Sequence, residues 1–152
     1  MSRAKLEHRI GVRASAETIW TVLADVEGWP KWCTLYPRAV GTIRIGGQLD
    51  LDVAVAGQPT RAIRPVVVDW VPNEQLHWRL SLLGGLVRTT RYFEIEELVP
   101  GSSIFSNGEL FGGLLGARVA RQLRGPLRDG FRAMGEAVRD LAEAAEAASP
   151  PS

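Results

Sequence analysis

The sequence predicts an α+β fold: a seven-stranded, curved antiparallel sheet wrapped around a long C-terminal helix, with two short helices after the first strand. Three observations lead there. Strand-like runs follow one another from Ala39 to Phe111 with only turn residues between them. An apolar stripe then recurs at helical spacing from Leu115 to Ala145. Ahead of both, a strand-like run leads straight into a capped helical segment. No helix-length segment interrupts the strands, which excludes a doubly wound parallel sheet.

Lys5 to Ala14 alternates loosely, with Leu6, His8, Ile10 and Val12 on one face, and reads as the first strand. Ser15 can cap the amides of a following helix, and Glu17 lies in the first turn, where the helix dipole favours negative charge. Ile19, Val22, Leu23 and Val26 form that helix's apolar stripe, and Gly28 ends it. Trp29-Pro30-Lys31-Trp32 reads as a second short helix or turn, with Pro30 at a permissive first-turn position.

Six strands follow, over residues 38–45, 48–56, 60–71, 75–83, 86–99 and 103–111. Gly46-Gly47 is a strong hairpin signal between the first two. Gly57-Gln58-Pro59, Pro72-Asn73-Glu74, Gly84-Gly85 and Pro100-Gly101-Ser102 turn the rest. Links this short imply an antiparallel meander. Pro65 inside the third of these strands implies an edge or a bulge. After Gly112-Gly113, Leu115, Val119, Leu123, Leu127, Phe131, Met134, Val138, Leu141 and Ala145 mark one helix from about Leu114 to Ala147. Gly125-Pro126 and Gly130 predict a kink or short break within it. Residues 1–148 are expected to form a single domain, and 149–152 a disordered tail.

The totals narrow the function classes. A chain of 152 residues, 45% hydrophobic and 23% charged, can bury one real core. A net charge of +1 gives no electrostatic reason to expect nucleic acid or an anionic membrane, a local basic patch aside. Cys33 is the only cysteine, which fits a reducing compartment. No secretory signal opens the chain and no run approaches a membrane span, so a cytoplasmic location without integral membrane association is expected. His8 and His77 form no cluster with Cys33 at zinc-ligand spacing, and there is no phosphate loop. Neither a metal nor a nucleotide cofactor is expected.

A bent sheet and one helix touch along two edges more readily than across the middle. The middle then either stays open for a ligand or fills with side chains; periodicity leaves both open.

The element order and several motifs resemble the START/SRPBCC superfamily, the helix-grip fold, in its polyketide cyclase/dehydrase and lipid-transport-like branch. The resemblance is carried by the segment from Ile10 to Trp20, by Leu23-Ala24-Asp25 and by Trp29-Pro30-Lys31-Trp32. Arg64-Pro65-Val66-Val67, Leu76-His77-Trp78, Tyr92-Phe93-Glu94-Ile95 and the junction from Gly108 to Leu115 extend it over nearly the whole chain. It implies a fold more than an activity, since that superfamily includes carriers, receptors, cyclases, hydrolases and co-chaperones. Similar small proteins often carry a histidine where this chain has Arg91, followed by a glutamate matched here by Glu109. An arginine stays charged where a histidine would shuttle protons.

Alternation puts Arg91 on a face with Phe93 and Ile95, and Asn107 and Glu109 on a face with Phe105 and Phe111. If the aromatic faces line the interior, Arg91, Asn107 and Glu109 point inside. Arg91 and Glu109 would then either form the polar end of an apolar pocket or pair with each other as a structural bridge, and a register one residue off would expose both. Trp78, with Leu76 and Leu80, is either core or a ligand wall. Trp32 and Trp29 either gate the entrance, as the resemblance implies, or clasp the short helices to the long one. The candidate ligand-binding set is Arg91, Glu109, Asn107, Trp78, Phe93, Phe111 and Trp32. Cys33 has no neighbouring base and reads as a small buried residue. Arg118, Arg121, Arg124, Arg128 and Arg132 share one side of the last helix, either as a solvated face or as a contact for acidic partners or lipid head groups.

Three functions follow. The first is enclosure of a small hydrophobic ligand such as a lipid, isoprenoid or polyketide. The second is a cyclase/dehydrase-like enzyme using the same cavity. The third is a protein-interaction module with a filled core. The absence of an evident acid/base dyad favours the first.

Overall fold

The computed structural model describes residues 4–148, so the tail expected at 149–152 lies outside the described residues. In order, the elements are β1 (Ala4–Val12), α1 (Ala16–Ala24), a 3-10 turn (Val26–Lys31), β2 (Arg38–Val40), β3 (Asp50–Val53), β4 (Arg61–Ile63), β5 (Val66–Val71) and β6 (Gln75–Leu82). A short 3-10 turn (Leu83–Gly85), β7 (Val87–Val99), β8 (Ser102–Gly112) and α2 (Gly116–Ala148) complete the chain. The architecture is α+β, with antiparallel strands and a long C-terminal helix.

The strands form two sheets rather than one of seven: a five-stranded sheet in the order β1-β8-β7-β6-β5 and a three-stranded sheet β2-β3-β4. Pro65 explains the extra division. It has no N–H to give a ladder, so the run expected over 60–71 splits around it into β4 and β5. Gly46-Gly47 does turn the chain, with Gly47 N–H donating to the Arg44 carbonyl at 3.0 Å, but β2 has already ended at Val40. The segment after that turn joins the two sheets. Leu49 N–H donates to Pro65 O at 3.0 Å, and Val67 and the Gly46–Gly47 turn exchange two more backbone bonds at 2.8 and 2.9 Å.

Ser15 caps α1, its hydroxyl accepting from Thr18 N–H at 3.2 Å. The far end of α2 holds the same corner. Glu146 accepts from Ser15 N–H at 3.1 Å and from the Thr18 hydroxyl at 2.5 Å, and Glu143 accepts from Arg13 N–H at 2.9 Å. Gly113, at φ +85°, makes the turn into α2; a β-carbon there would stand 2.5 Å from the Leu86 carbonyl oxygen.

α2 runs as one helix through Gly125, Pro126 and Gly130, where a kink or break was expected. Pro126 removes one helical hydrogen bond, but Leu127 and Phe131 bury themselves in the core directly after it and keep the helix from breaking. The buried stripe is Ala120, Leu127, Phe131, Met134, Val138 and Ala142. Leu141 is exposed, because the spacing of about 3.5 residues expected after Phe131 falls short of the helical period of about 3.6, and the inner face passes to Ala142.

Odd-numbered residues of β7 from Val87 to Ile95 are buried. Trp29, Tyr36, Trp78 and Phe93 form an aromatic cluster with ring centroids 5.4 to 5.9 Å apart. Trp29 is fully buried and donates its indole N–H to Leu23 O at 3.0 Å, so it clasps the first 3-10 turn to α1 and the sheet.

Candidate functional site

The functional side chains hang on adjacent strands. β7 and β8 pair antiparallel with Arg91 opposite Glu109, Phe93 opposite Asn107 and Thr89 opposite Phe111. These pairs all face α2. Along β7 and β8 the inner face passes from packed core at Phe93, Ile95 and Phe105 to pocket lining at Thr89, Arg91, Glu109 and Phe111.

Arg91 lies at that boundary, 1% exposed. Its Nε–H donates to Tyr36 Oη at 2.9 Å, Nη1 donates to the carbonyls of Gly108 (3.0 Å) and Tyr92 (3.3 Å), and Nη2 donates to Asn107 Oδ1 (3.0 Å) and Met134 Sδ (3.4 Å). All five guanidinium protons have acceptors. The Phe93 and Phe131 rings sit 4.4 and 4.2 Å from its central carbon and supply cation–π contact. Asn107 passes the connection on, donating to the Phe131 carbonyl of α2 at 3.1 Å.

Glu109 is held differently. Although it faces Arg91 in register, the two do not form the bridge that their positions allow: among the described residues no ion pair within 4 Å joins them. Glu109 is half-buried, and what it is open to is the interior space. Burial away from bulk water pushes its carboxyl above the usual range, outweighing the opposing pull of the Arg91 charge and of Thr89. The Arg91 protons are committed to other acceptors, so its charge acts on Glu109 without a hydrogen bond. The Thr89 hydroxyl is buried beside Glu109, near enough to favour its charged form but without a well-formed hydrogen bond. Tyr36 accepts from Arg91, and burial raises its pKa, so it keeps its own proton.

A pocket of about 410 Å³ opens beside these groups. Val53, Val55 and Ile63 of the small sheet form one wall, Trp78, Leu80 and Leu82 of β6 a second, and Val119, Leu123 and Leu127 of α2 a third. Tyr36, Thr89, Arg91 and Glu109 stand together at one end. Gln58, Pro59, Arg61, Leu83 and Gln122 are exposed and form the rim.

Of the seven candidate residues, Arg91, Glu109, Trp78 and Phe111 line this pocket. Asn107 and Phe93 pack behind Arg91, and Trp32 is half-buried against the core away from the lining. Sequence reasoning passed over Thr89 and Tyr36. Thr89 shares the odd parity of Arg91 on β7, a signal that was available. Tyr36 lies in the irregular link before β2, where no periodicity reports orientation. Cys33 is buried, which raises its thiol pKa and makes it a poor nucleophile. Among the described residues there is no cluster of metal-ligating side chains, and no helix is long and apolar enough to cross a membrane.

Three solved structures show the same fold over nearly the whole chain. The Zhui aromatase/cyclase from Streptomyces sp. R1128 is 21% identical, with a TM-score of 0.72 over 93% of this chain and 94% of that one. A START superfamily protein from Mycobacterium smegmatis is 24% identical, with a TM-score of 0.68 over 90% and 98%. Norcoclaurine synthase from Thalictrum flavum, as a point mutant with a transition-state analogue, is 20% identical, with a TM-score of 0.68 over 93% and 94%. No curated protein matches this chain. The helix-grip arrangement is thus shared with START-type proteins, and residues 3–146 match the model of one family within that group. This chain belongs to the polyketide cyclase/dehydrase and lipid transport family.

Proposed function

We propose that this chain binds a small hydrophobic ligand, such as a lipid, isoprenoid or polyketide-like molecule, in the pocket between the two sheets and α2. The observation that carries this reading is a space of about 410 Å³ walled by aliphatic and aromatic side chains, with Tyr36, Thr89, Arg91 and Glu109 on its lining and its other polar residues, Gln58, Arg61 and Gln122, at the rim. Burying ~300 Å² of apolar ligand at ~25 cal/mol per Å² gives roughly 7 kcal/mol before the costs of association. The Thr89 hydroxyl, the Tyr36 phenol and the Glu109 carboxyl then orient one ligand oxygen. Arg91 contributes its charge and its hold on Tyr36 rather than a hydrogen bond of its own. The family's pairing of cyclase with lipid transport, and the small-molecule enzymes that share the fold, support the same class of ligand.

One observation favours a second reading, chemistry of the cyclase/dehydrase type. Glu109 is a carboxyl without an ionic partner, its pKa raised by burial, and open to the pocket; a carboxyl so placed is positioned to exchange a proton with a bound carbonyl.

Native mass spectrometry of the purified protein with a lipid extract and a panel of polyketide-like compounds tests both. A retained ligand mass that is lost in Leu123→Trp, which fills the pocket, and weakened several-fold in Thr89→Val is the expected result. Retention of nothing, or retention indifferent to Leu123→Trp, overturns the binding proposal. Conversion of a bound compound that stops in Glu109→Gln moves the assignment to the enzyme.

A further inference from the structure

We propose that the rim of the pocket docks on an anionic membrane surface, with the turn between β6 and β7 and the start of α2 as the contact. This rests on the ligand-binding reading, for which it names the place of loading. Leu83 in that turn is 62% exposed, Leu86 after it 42%, and Leu114 at the head of α2 78%. The two segments meet, since Leu115 N–H donates to Leu86 O at 2.9 Å. Leu83 is itself a pocket residue, so the apolar tip and the entrance are continuous. It also holds φ +54°, a left-handed conformation that leucine rarely adopts. The fold gains little from it, because most of that side chain faces outward.

Charge complementarity names the surface. Arg118, Arg121, Arg124, Arg128 and Arg132 are all exposed, and their spacing of three and four residues puts them in one stripe about a third of the helix circumference wide. Among the described residues none of the five is ion-paired, and Asp129 is the one acidic side chain on that stretch of helix. Arg118 lies in the first turn, where the helix dipole disfavours a cation, so helix stability does not account for it. Val119, Gln122 and Leu123 line the pocket one residue along from Arg118, Arg121 and Arg124. Arg61 stands on the opposite rim and Arg88 beside the turn, both exposed. Leucines projecting from a ring of cations suit an interface of acyl chains beneath anionic head groups. A protein partner with an acidic face would use the arginines but would leave three separate leucines without a common wall.

Co-sedimentation of the full chain with phosphatidylcholine vesicles, with and without about 30% phosphatidylglycerol, tests the docking. Each arginine at an anionic surface is worth about fivefold in affinity. Binding to the anionic vesicles should therefore exceed that to neutral ones by well over tenfold and fall steeply with salt. It should drop at least tenfold in the triple variant R118Q/R121Q/R124Q, and also in Leu83→Ser/Leu114→Ser. R139Q, on the acidic half of the helix, should leave it unchanged. No vesicle binding, equal binding to neutral vesicles, or indifference to the triple variant overturns the proposal. So does binding to soluble poly-glutamate that matches the vesicles and ignores the leucine changes, which would reassign the surface to an acidic protein. Ligand retention in native mass spectrometry is read without vesicles, so the pocket and the docking surface fail separately.

Discussion

Arg91 is a cation with every proton placed and its guanidinium over two aromatic rings, Phe93 and Phe131. A side chain bound this way acts as a tie between β7, β8, α2 and the link carrying Tyr36. Arg91→Met keeps much of the volume but leaves Asn107 Oδ1, the Gly108 carbonyl and Tyr36 Oη without their donor, each costing about 1–3 kcal/mol when left bare. We expect a loss of roughly 3 kcal/mol or more in urea unfolding, with the midpoint shifted and the slope unchanged. Glu109 gives a second residue-level expectation, in pH. Its folded-state pKa lies above its ordinary 4.5, so the folded protein holds a proton that the unfolded chain releases first. Stability from this group is present below pH 4.5 and is lost as pH rises through the raised value. His8 acts oppositely: burial, then the charge of Arg132, lowers its pKa, so stability grows as pH rises towards 6.5. The comparison is therefore between the wild type and Glu109→Gln, which should lack the downward slope above pH 4.5. Alternation along β7 and β8 was enough to put Arg91 and Glu109 on the inner face. It could not show that Arg91 was fully engaged, because two of its partners, Tyr36 and Met134, lie 55 and 43 residues away in the chain.

Prolines show at the element scale why one residue type reads differently in two places. Pro65 divides a run into β4 and β5 because a ladder cannot pass a residue without an N–H. Pro126 leaves α2 whole because one lost bond is small against the burial of Leu127 and Phe131. The sequence marks both prolines as candidate disturbances, and only Pro65 interrupts its element; a linear pattern is silent on the packing that decides between them. The two ends of α2 are also held unequally. Glu143 and Glu146 fasten its last turns to the β1–α1 corner, whereas Val119, Gln122 and Leu123 border the pocket. Amide hydrogen exchange should therefore be at least about tenfold faster over residues 119–124 than over 134–142, and ligand binding should slow the first group selectively. Uniform protection along the helix would contradict this account.

Across the whole molecule, the order of strands and helices was legible because turn residues and apolar period are local properties. The division into five and three strands was not, since it depends on which distant segments pair; the stretch at 46–49 bonds to residues 65–67 rather than continuing a hairpin with β2. The pocket's size was equally out of reach of a linear pattern, because three walls from separate parts of the chain bound it. That division has a consequence for how such a protein diversifies. The small sheet supplies Val53, Val55 and Ile63 to the pocket, yet it is stitched to the large one by a few backbone bonds that any sequence can make. It is an exchangeable panel in a fixed frame: with the fully buried Leu51 kept as its anchor in the core, Val53, Val55 and Ile63 can be rewritten to admit a differently shaped guest.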